Sequence, residues 1–208
     1  MSEPAAKPPA SAYEDPAQAL VEVQLRLRAL IAEYANGAIN MAQFNALYHY
    51  LVERRMTLER SLSDPDAEDW HEAAKGGMTG ELRNRFQARL IFLAVFRQAT
   101  EQPLFVSGKL PAKAAQSVAH LVRTLWAKAA WQAGIFRYSI GQGYWLVVVM
   151  GEARTMSLAT FSLAPAPLQV NQLRDLHTDF ERANRSALAR QLPPDRMVFP
   201  QRALVSTL

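Results

Sequence analysis

Between residues 135 and 161 three apolar runs are separated by two glycine-containing turns, and few folds accommodate that pattern. Residues 135–140 alternate, which places Phe136, Tyr138 and Ile140 on one side of an extended chain. Gly141-Gln142-Gly143 then offers a tight turn, because glycine reaches the backbone conformations that a hairpin connection needs. Residues 144–150 form an almost unbroken apolar run, suited to a strand covered on both faces. Residues 151–154 turn the chain again, and Thr155–Phe161 returns with Met156 and Leu158 facing one way. The spacing predicts an antiparallel meander whose middle strand lies inside the sheet.

The preceding segment supplies two more strands and a helix. Leu90–Arg97 is a strongly apolar run of strand length, and Leu104-Phe105-Val106 makes a second strand ended by Gly108. Pro111 opens a helix whose apolar stripe runs Ala115, Val118, Val122, Leu125 and Ala129, closed by Gly134. After Pro165 and Pro167 a last helix presents Val170, Leu173, Leu176, Phe180, Ala183 and Ala187 on one face. Thr79, Leu82 and Phe86 mark a short helix that leads into this region. The order α-β-β-α-β-β-β-α over residues 79–190 predicts an α+β domain, a five-stranded antiparallel sheet with helices packed on it.

A helical hairpin is expected before this domain, over residues 16–75 together with a short third helix. Leu20, Val23, Leu27, Leu30 and Tyr34 recur at helical spacing, and Asn36-Gly37 is a natural left-handed stop. Asn40 followed by Gln43 is a capping-box pattern, bracketed by Ile39 and Phe44 at the spacing of a hydrophobic staple. Phe44, Leu51 and Leu58 form a seam that Arg54 and Arg55 interrupt. Asp64 and Pro65 start the third helix, with Trp70 as its apolar anchor, and Gly76-Gly77 marks the boundary between domains. Residues 1–15, rich in Pro and Ser, are expected to be disordered. Residues 191–208, after Pro193-Pro194, read as an extended tail with Met197-Val198-Phe199 as an apolar patch.

Several functions are excluded or unsupported by residue type. The chain has no cysteine, so disulfides, thiolate metal sites and cysteine nucleophiles are absent. No run approaches the roughly 18–20 apolar residues that a membrane-spanning helix requires, and the first residues lack a signal-peptide core, so a cytoplasmic location is the expectation. The net charge of +4 comes from arginines mostly beside acids, without the basic stripe and stacking aromatics of a nucleic-acid binder. His49, His71, His120 and His177 show no helical metal-pair spacing, and no nucleophile elbow or phosphate loop occurs. His177, Glu181 and Asn184 share one row of the last helix, where they read as a polar flank of the core instead of a base and its orienting acid. No catalytic, cofactor-binding or metal-ligating residue is expected.

Two stretches resemble known families. Tyr34, Gly37, Ile39, Asn40, Gln43 and Phe44 resemble the short helical hairpins of the SHOCT type, within residues 17–62, which implies an oligomerisation or docking hairpin. The same Gly37 turn is similar to half of an EF-hand loop, but the ligand positions would fall on Ala32, Tyr34, Asn36 and Gln43, none of them acidic, which excludes calcium. The succession of elements over residues 79–190 resembles the Roadblock/dynein light-chain family of the profilin- and GAF-like group. That resemblance implies dimeric scaffolds that partner Ras-like small GTPases.

The expected function is therefore a non-enzymatic interaction or scaffold module, self-associating and without a cofactor. Trp126 and Trp131, five residues apart, cannot both face the sheet from one helix, so they and Phe199 are the candidate partner-interface residues. A GAF- or PAS-like small-molecule sensor lined by Phe136, Tyr138 and Trp145 is the alternative reading, and a fixed subunit of a larger assembly is another.

Overall fold

The computed structural model describes residues 15–64, 70–75, 77–98, 100, 102–127 and 131–205. The disorder expected for residues 1–15 falls outside them except at Asp15, as do Pro65, Gly76 and Ala129. Two compact units are present, Met1–Phe86 and Gln87–Leu208.

In the first unit the hairpin forms where its caps place it. Helix α1 (Pro16–Ala35) starts at Asp15, whose carboxylate accepts the Ala17 N–H at 2.9 Å. It stops at Gly37, whose φ of 71° is open to glycine at little cost. Helix α2 (Met41–Ser63) opens with both halves of the capping box: Gln43 N–H donates to Asn40 Oδ1 at 2.8 Å, and Asn40 N–H donates to Gln43 Oε1 at 3.1 Å. Val23, Leu27, Leu30, Leu47, Leu51 and Leu58 close the core between the two helices.

Two features of this unit differ from the sequence expectation. Arg54 does not interrupt the seam: it is buried and donates to Ala73 O at 2.5 Å and Ala74 O at 3.2 Å, at the end of α3 (Trp70–Lys75). A guanidinium placed there meets the carbonyls that a helix terminus leaves unpaired. Helix α4 (Thr79–Arg85), expected to lead into the sheet domain, instead belongs to the hairpin. The second amide hydrogens of the cap residues hold it, Asn40 Nδ2 donating to Phe86 O and Gln43 Nε2 to Arg83 O, both at 2.9 Å. The division between units thus falls after Phe86 and not at the glycine pair.

The second unit is an α+β domain built on a five-stranded antiparallel sheet. Its strands are β1 (Leu90–Arg97), β2 (Phe105–Gly108), β3 (Gly134–Ser139), β4 (Trp145–Met150) and β5 (Thr155–Phe161), in the spatial order β2-β1-β5-β4-β3. The meander β3-β4-β5 forms as its turns require, and β5 then pairs with β1 from Leu90↔Phe161 to Arg97↔Thr155. All seven residues of β5 are buried, including Thr155, Ser157 and Thr160.

Alternation assigns each strand residue to one of two helical layers. Helix α5 (Ala112–Ala127) packs Val118, Val122 and Leu125 against Leu146, Val148, Met150, Met156 and Leu158. Helix α6 (Pro167–Ala183) packs Val170 and Leu173 against Leu93, Val147, Val149 and Ala159 on the other face. Among the described residues no helix is long and apolar enough to cross a membrane.

The segment read as an extended tail is part of this core. After α7 (Arg185–Ala189) and the short 3-10 turn Pro194–Arg196, Met197 and Phe199 turn inward while Val198 stays exposed. Asn184 fixes that geometry, accepting Val198 N–H on Oδ1 at 2.8 Å and donating from Nδ2 to Val198 O at 2.6 Å. An amide side chain thereby satisfies both backbone groups of a residue that would otherwise need a strand partner. Gln201 is fully buried just before α8 (Arg202–Val205).

Two outcomes follow from this packing. Asn40→Ala removes a cap and the tie to Phe86, so it is expected to cost about 2 kcal/mol, against about 1 kcal/mol or less for Asp15→Ala, compared by urea unfolding. Limited proteolysis read by mass spectrometry is expected to leave a core that keeps its C-terminus near Val205; a stable fragment ending near Arg190 contradicts the docked tail.

Candidate functional site

Two places in the sheet domain gather unusual chemistry, one polar and closed, the other apolar and open. The closed one lies between β5 and α6. Thr155 and Ser157 point to the α6 side because they alternate with Met156 and Leu158, and His177 and Glu181 lie one helical turn apart on α6. Ser157 Oγ is 2.7 Å from His177 Nδ1, and Thr155 Oγ1 is 3.3 Å from His177 Nε2. Thr155 Oγ1 also donates to Glu181 Oε1 at 2.6 Å.

The donor count fixes the tautomer. The single Thr155 hydroxyl hydrogen goes to Glu181, so its oxygen can only accept from His177 Nε2–H. Nδ1 of the neutral ring is then the acceptor for Ser157, whose oxygen accepts in turn from Gln201 Nε2 at 3.4 Å. The chain runs Gln201, Ser157, His177, Thr155, Glu181, with every bond in one direction.

The carboxylate at its end does more. Glu181 accepts from the N–H groups of Glu152 at 3.1 Å and Ala153 at 3.0 Å, which pins the β4–β5 turn to α6. Gly151 leaves room there, since a Cβ at this position would overlap the Glu181 carboxylate and displace it from these partners.

A serine, a histidine and a carboxylate side by side invite comparison with a hydrolytic triad. Access decides against that use. Ser157 is 0 % exposed and His177 2 %, and neither lines any of the principal clefts of the domain. Burial pushes the imidazole down from 6.5 to about 4, opposed by a hydrogen bond to the Thr155 backbone, so the ring is neutral at physiological pH. Glu181 Oε1, at 3.7 Å from Nε2, is the one carboxylate facing it and lies beyond hydrogen-bond distance.

The open place is a groove of about 470 Å³ on the opposite face, between α5 and β1. Phe92 and Phe96 of β1 form its floor, Val118, Val122 and Trp126 of α5 one wall, and Leu110 part of the rim. Trp126 meets Phe96 edge-on, with ring centroids 5.8 Å apart and planes at 75°. Its Nε1 is buried and has no hydrogen-bond partner among the described residues. An indole N–H out of water and unpaired is a donor awaiting an acceptor.

The other two sequence candidates are spent inside the chain. Trp131 lies past the end of α5, so the helical spacing that set it against Trp126 does not apply, and its Nε1 donates to Gly151 O at 2.7 Å. Phe199, read as part of an exposed patch, is 7 % exposed and stacked between Phe105 and Phe180, with centroid distances of 5.3 and 5.4 Å. Of the three, Trp126 is the one that lines this groove.

The lining expected for a sensor cavity does not converge either. Phe136 and Tyr138 pack on the α5 side, whereas Trp145 pairs with Ser139 and so faces the other way. Among the described residues no group of three or more His, Asp or Glu side chains is arranged to hold a metal ion. No protein-family model matches the chain, and no curated protein matches it either.

The buried imidazole makes stability depend on pH with a definite sign. Its folded pKa lies below its unfolded value, so the unfolded chain binds the proton first. The contribution is complete above about pH 6.5 and is lost progressively as pH falls toward 4, up to about 3 kcal/mol in total. Chemical denaturation between pH 7 and 5 is expected to show this loss, and His177→Gln is expected to flatten the slope; an unchanged slope contradicts the assignment.

Proposed function

We propose that the protein is a non-enzymatic protein-interaction or scaffold module whose sheet domain self-associates through the α5 groove. The observation that carries this reading is the apolar groove with the unpaired Trp126 N–H. A large aromatic partly buried in a concave, largely apolar patch is the usual centre of a binding hot spot. The polar groups best placed for catalysis are committed to holding β5, α6 and the C-terminal segment together. The sheet also ends in two strands paired on one side only, β2 and β3, which gives a second copy an edge to extend. The resemblance of the element order to the Roadblock family adds a Ras-like small GTPase as the expected heterologous partner; that extension rests on analogy of fold.

A second reading has one observation in its favour. A groove of about 470 Å³, largely apolar with Arg123 among its lining residues, has the size and character of a small-molecule site. An apolar ligand bearing a single carbonyl would fill it, and the domain would then act as a sensor.

Light scattering of the full chain across a concentration series separates the two. Self-association at tens of micromolar is expected, weakened about tenfold or more by Trp126→Ala, with circular dichroism confirming that the variant is folded. A wild-type chain that stays monomeric over that range overturns the first reading. Quenching of Trp126 fluorescence by a small apolar ketone would then favour the second.

A further inference from the structure

We propose that the sheet domain carries a binding site for the phosphate group of a small molecule, in the cleft where the end of β1, the β4–β5 turn and the end of α7 meet. This cleft has a volume of about 390 Å³ and is lined by Arg97, Gln98, Thr100, Arg154 and Gln191 together with Leu188 and Ala153. It lies on the α6 side, since Arg97 pairs with Thr155 and alternates with Phe96 of the groove, and it is thus distinct from the proposed docking surface.

The donors there are in surplus. Arg97 Nη1 is buried and has no hydrogen-bond partner among the described residues. A guanidinium hydrogen withdrawn from water and left unpaired is costly, and an anion that reaches it recovers that cost. Arg154 is held in the same cleft by its backbone: it takes a φ of 57°, and its carbonyl accepts Gln98 N–H at 2.8 Å. That bond ties the end of β1, next to Arg97, to the β4–β5 turn that carries Arg154. The side chains of Gln98 and Gln191 add amide donors, and Gln191 is likewise set at a positive φ of 53°.

No carboxylate lines the cleft among the described residues. Glu181 is adjacent but already accepts from Glu152, Ala153 and Thr155. The Thr100 hydroxyl is occupied by the carbonyls of Arg97 at 2.8 Å and Gln102 at 3.3 Å, so it helps to shape the loop without serving as a donor.

Two guanidiniums match the charge of a phosphate monoester near −2 at neutral pH, and planar forked donors suit its oxygens. A monocarboxylate would leave one of them uncompensated. The volume exceeds what a bare phosphate fills, and Leu188 and Ala153 offer an apolar wall to an organic substituent.

The test uses the full chain and isothermal titration at constant ionic strength with inorganic phosphate, phenyl phosphate and acetate. Saturable binding of a phosphate probe is expected, at least tenfold tighter than acetate. Phenyl phosphate binding more tightly than inorganic phosphate identifies an ester as the ligand, and equal binding identifies free phosphate. Arg154→Gln is expected to weaken binding at least tenfold, and its fold should survive because Gln142 and Gln191 already adopt the same backbone region. Arg97→Met provides the second readout: without phosphate its melting temperature should equal or exceed that of the wild type, and with phosphate the order should reverse. Absence of saturable binding, or binding indifferent to both substitutions, overturns the proposal.

Discussion

A strand paired on both edges and covered on both faces has no water to satisfy its side chains, and β5 is such a strand. It nevertheless carries Thr155 and Ser157, whose hydroxyls must find partners inside the protein. The directed chain from Gln201 to Glu181 provides those partners, and most of the α6 side of the domain is arranged around it. Helix α6 contributes His177 and Glu181, the C-terminal segment contributes Gln201, and Gly151 leaves room for the carboxylate. Thr160 Oγ1, facing the α5 side, is the hydroxyl of the strand left without a partner among the described residues.

The two faces of the sheet are therefore held in different ways. On the α6 side, packing is keyed by hydrogen bonds that accept only one register, and Asn184 locks the C-terminal segment into the same arrangement. Helix α5 is held to the sheet by apolar contact, with the hydrogen bond of Trp131 to Gly151 lying beyond its end. Apolar packing tolerates sliding far better than a hydrogen-bonded network does. The cleft with Arg97 and Arg154 sits on the rigid side, where fixed geometry favours recognition of a small charged group.

Local signals were legible in the sequence where the residues act on their own neighbourhood. The cap of Asn40 and Gln43, the stop at Gly37 and the meander with its glycine turns depend on residues close in the chain, and each forms where the spacing places it. Where the structure departs from the sequence expectation, the deciding contact lies outside the local stretch that was read. Arg54 looked like a break in an apolar seam because the end of α3 is invisible to helical periodicity. Phe199 looked exposed because nothing near it indicates that Asn184 will hold its neighbour. Trp131 was set against Trp126 by a helix assumed to continue further than it does. The cleft with Arg97 and Arg154 left no linear trace, since its two arginines come from strand ends separated by the whole of β2–β4.

The docked C-terminal segment also sets an order of events during synthesis. Strand β1 must wait for β5, the last strand made, before its inner edge is paired. Met197, Phe199 and Gln201 come later still. The helical unit can close its own core while the sheet domain is still being translated, because every residue of that core precedes Phe86. Until the C-terminal segment emerges the nascent sheet presents Val95 and Phe105 without their cover, and exposed apolar surface of this kind invites aggregation or a chaperone.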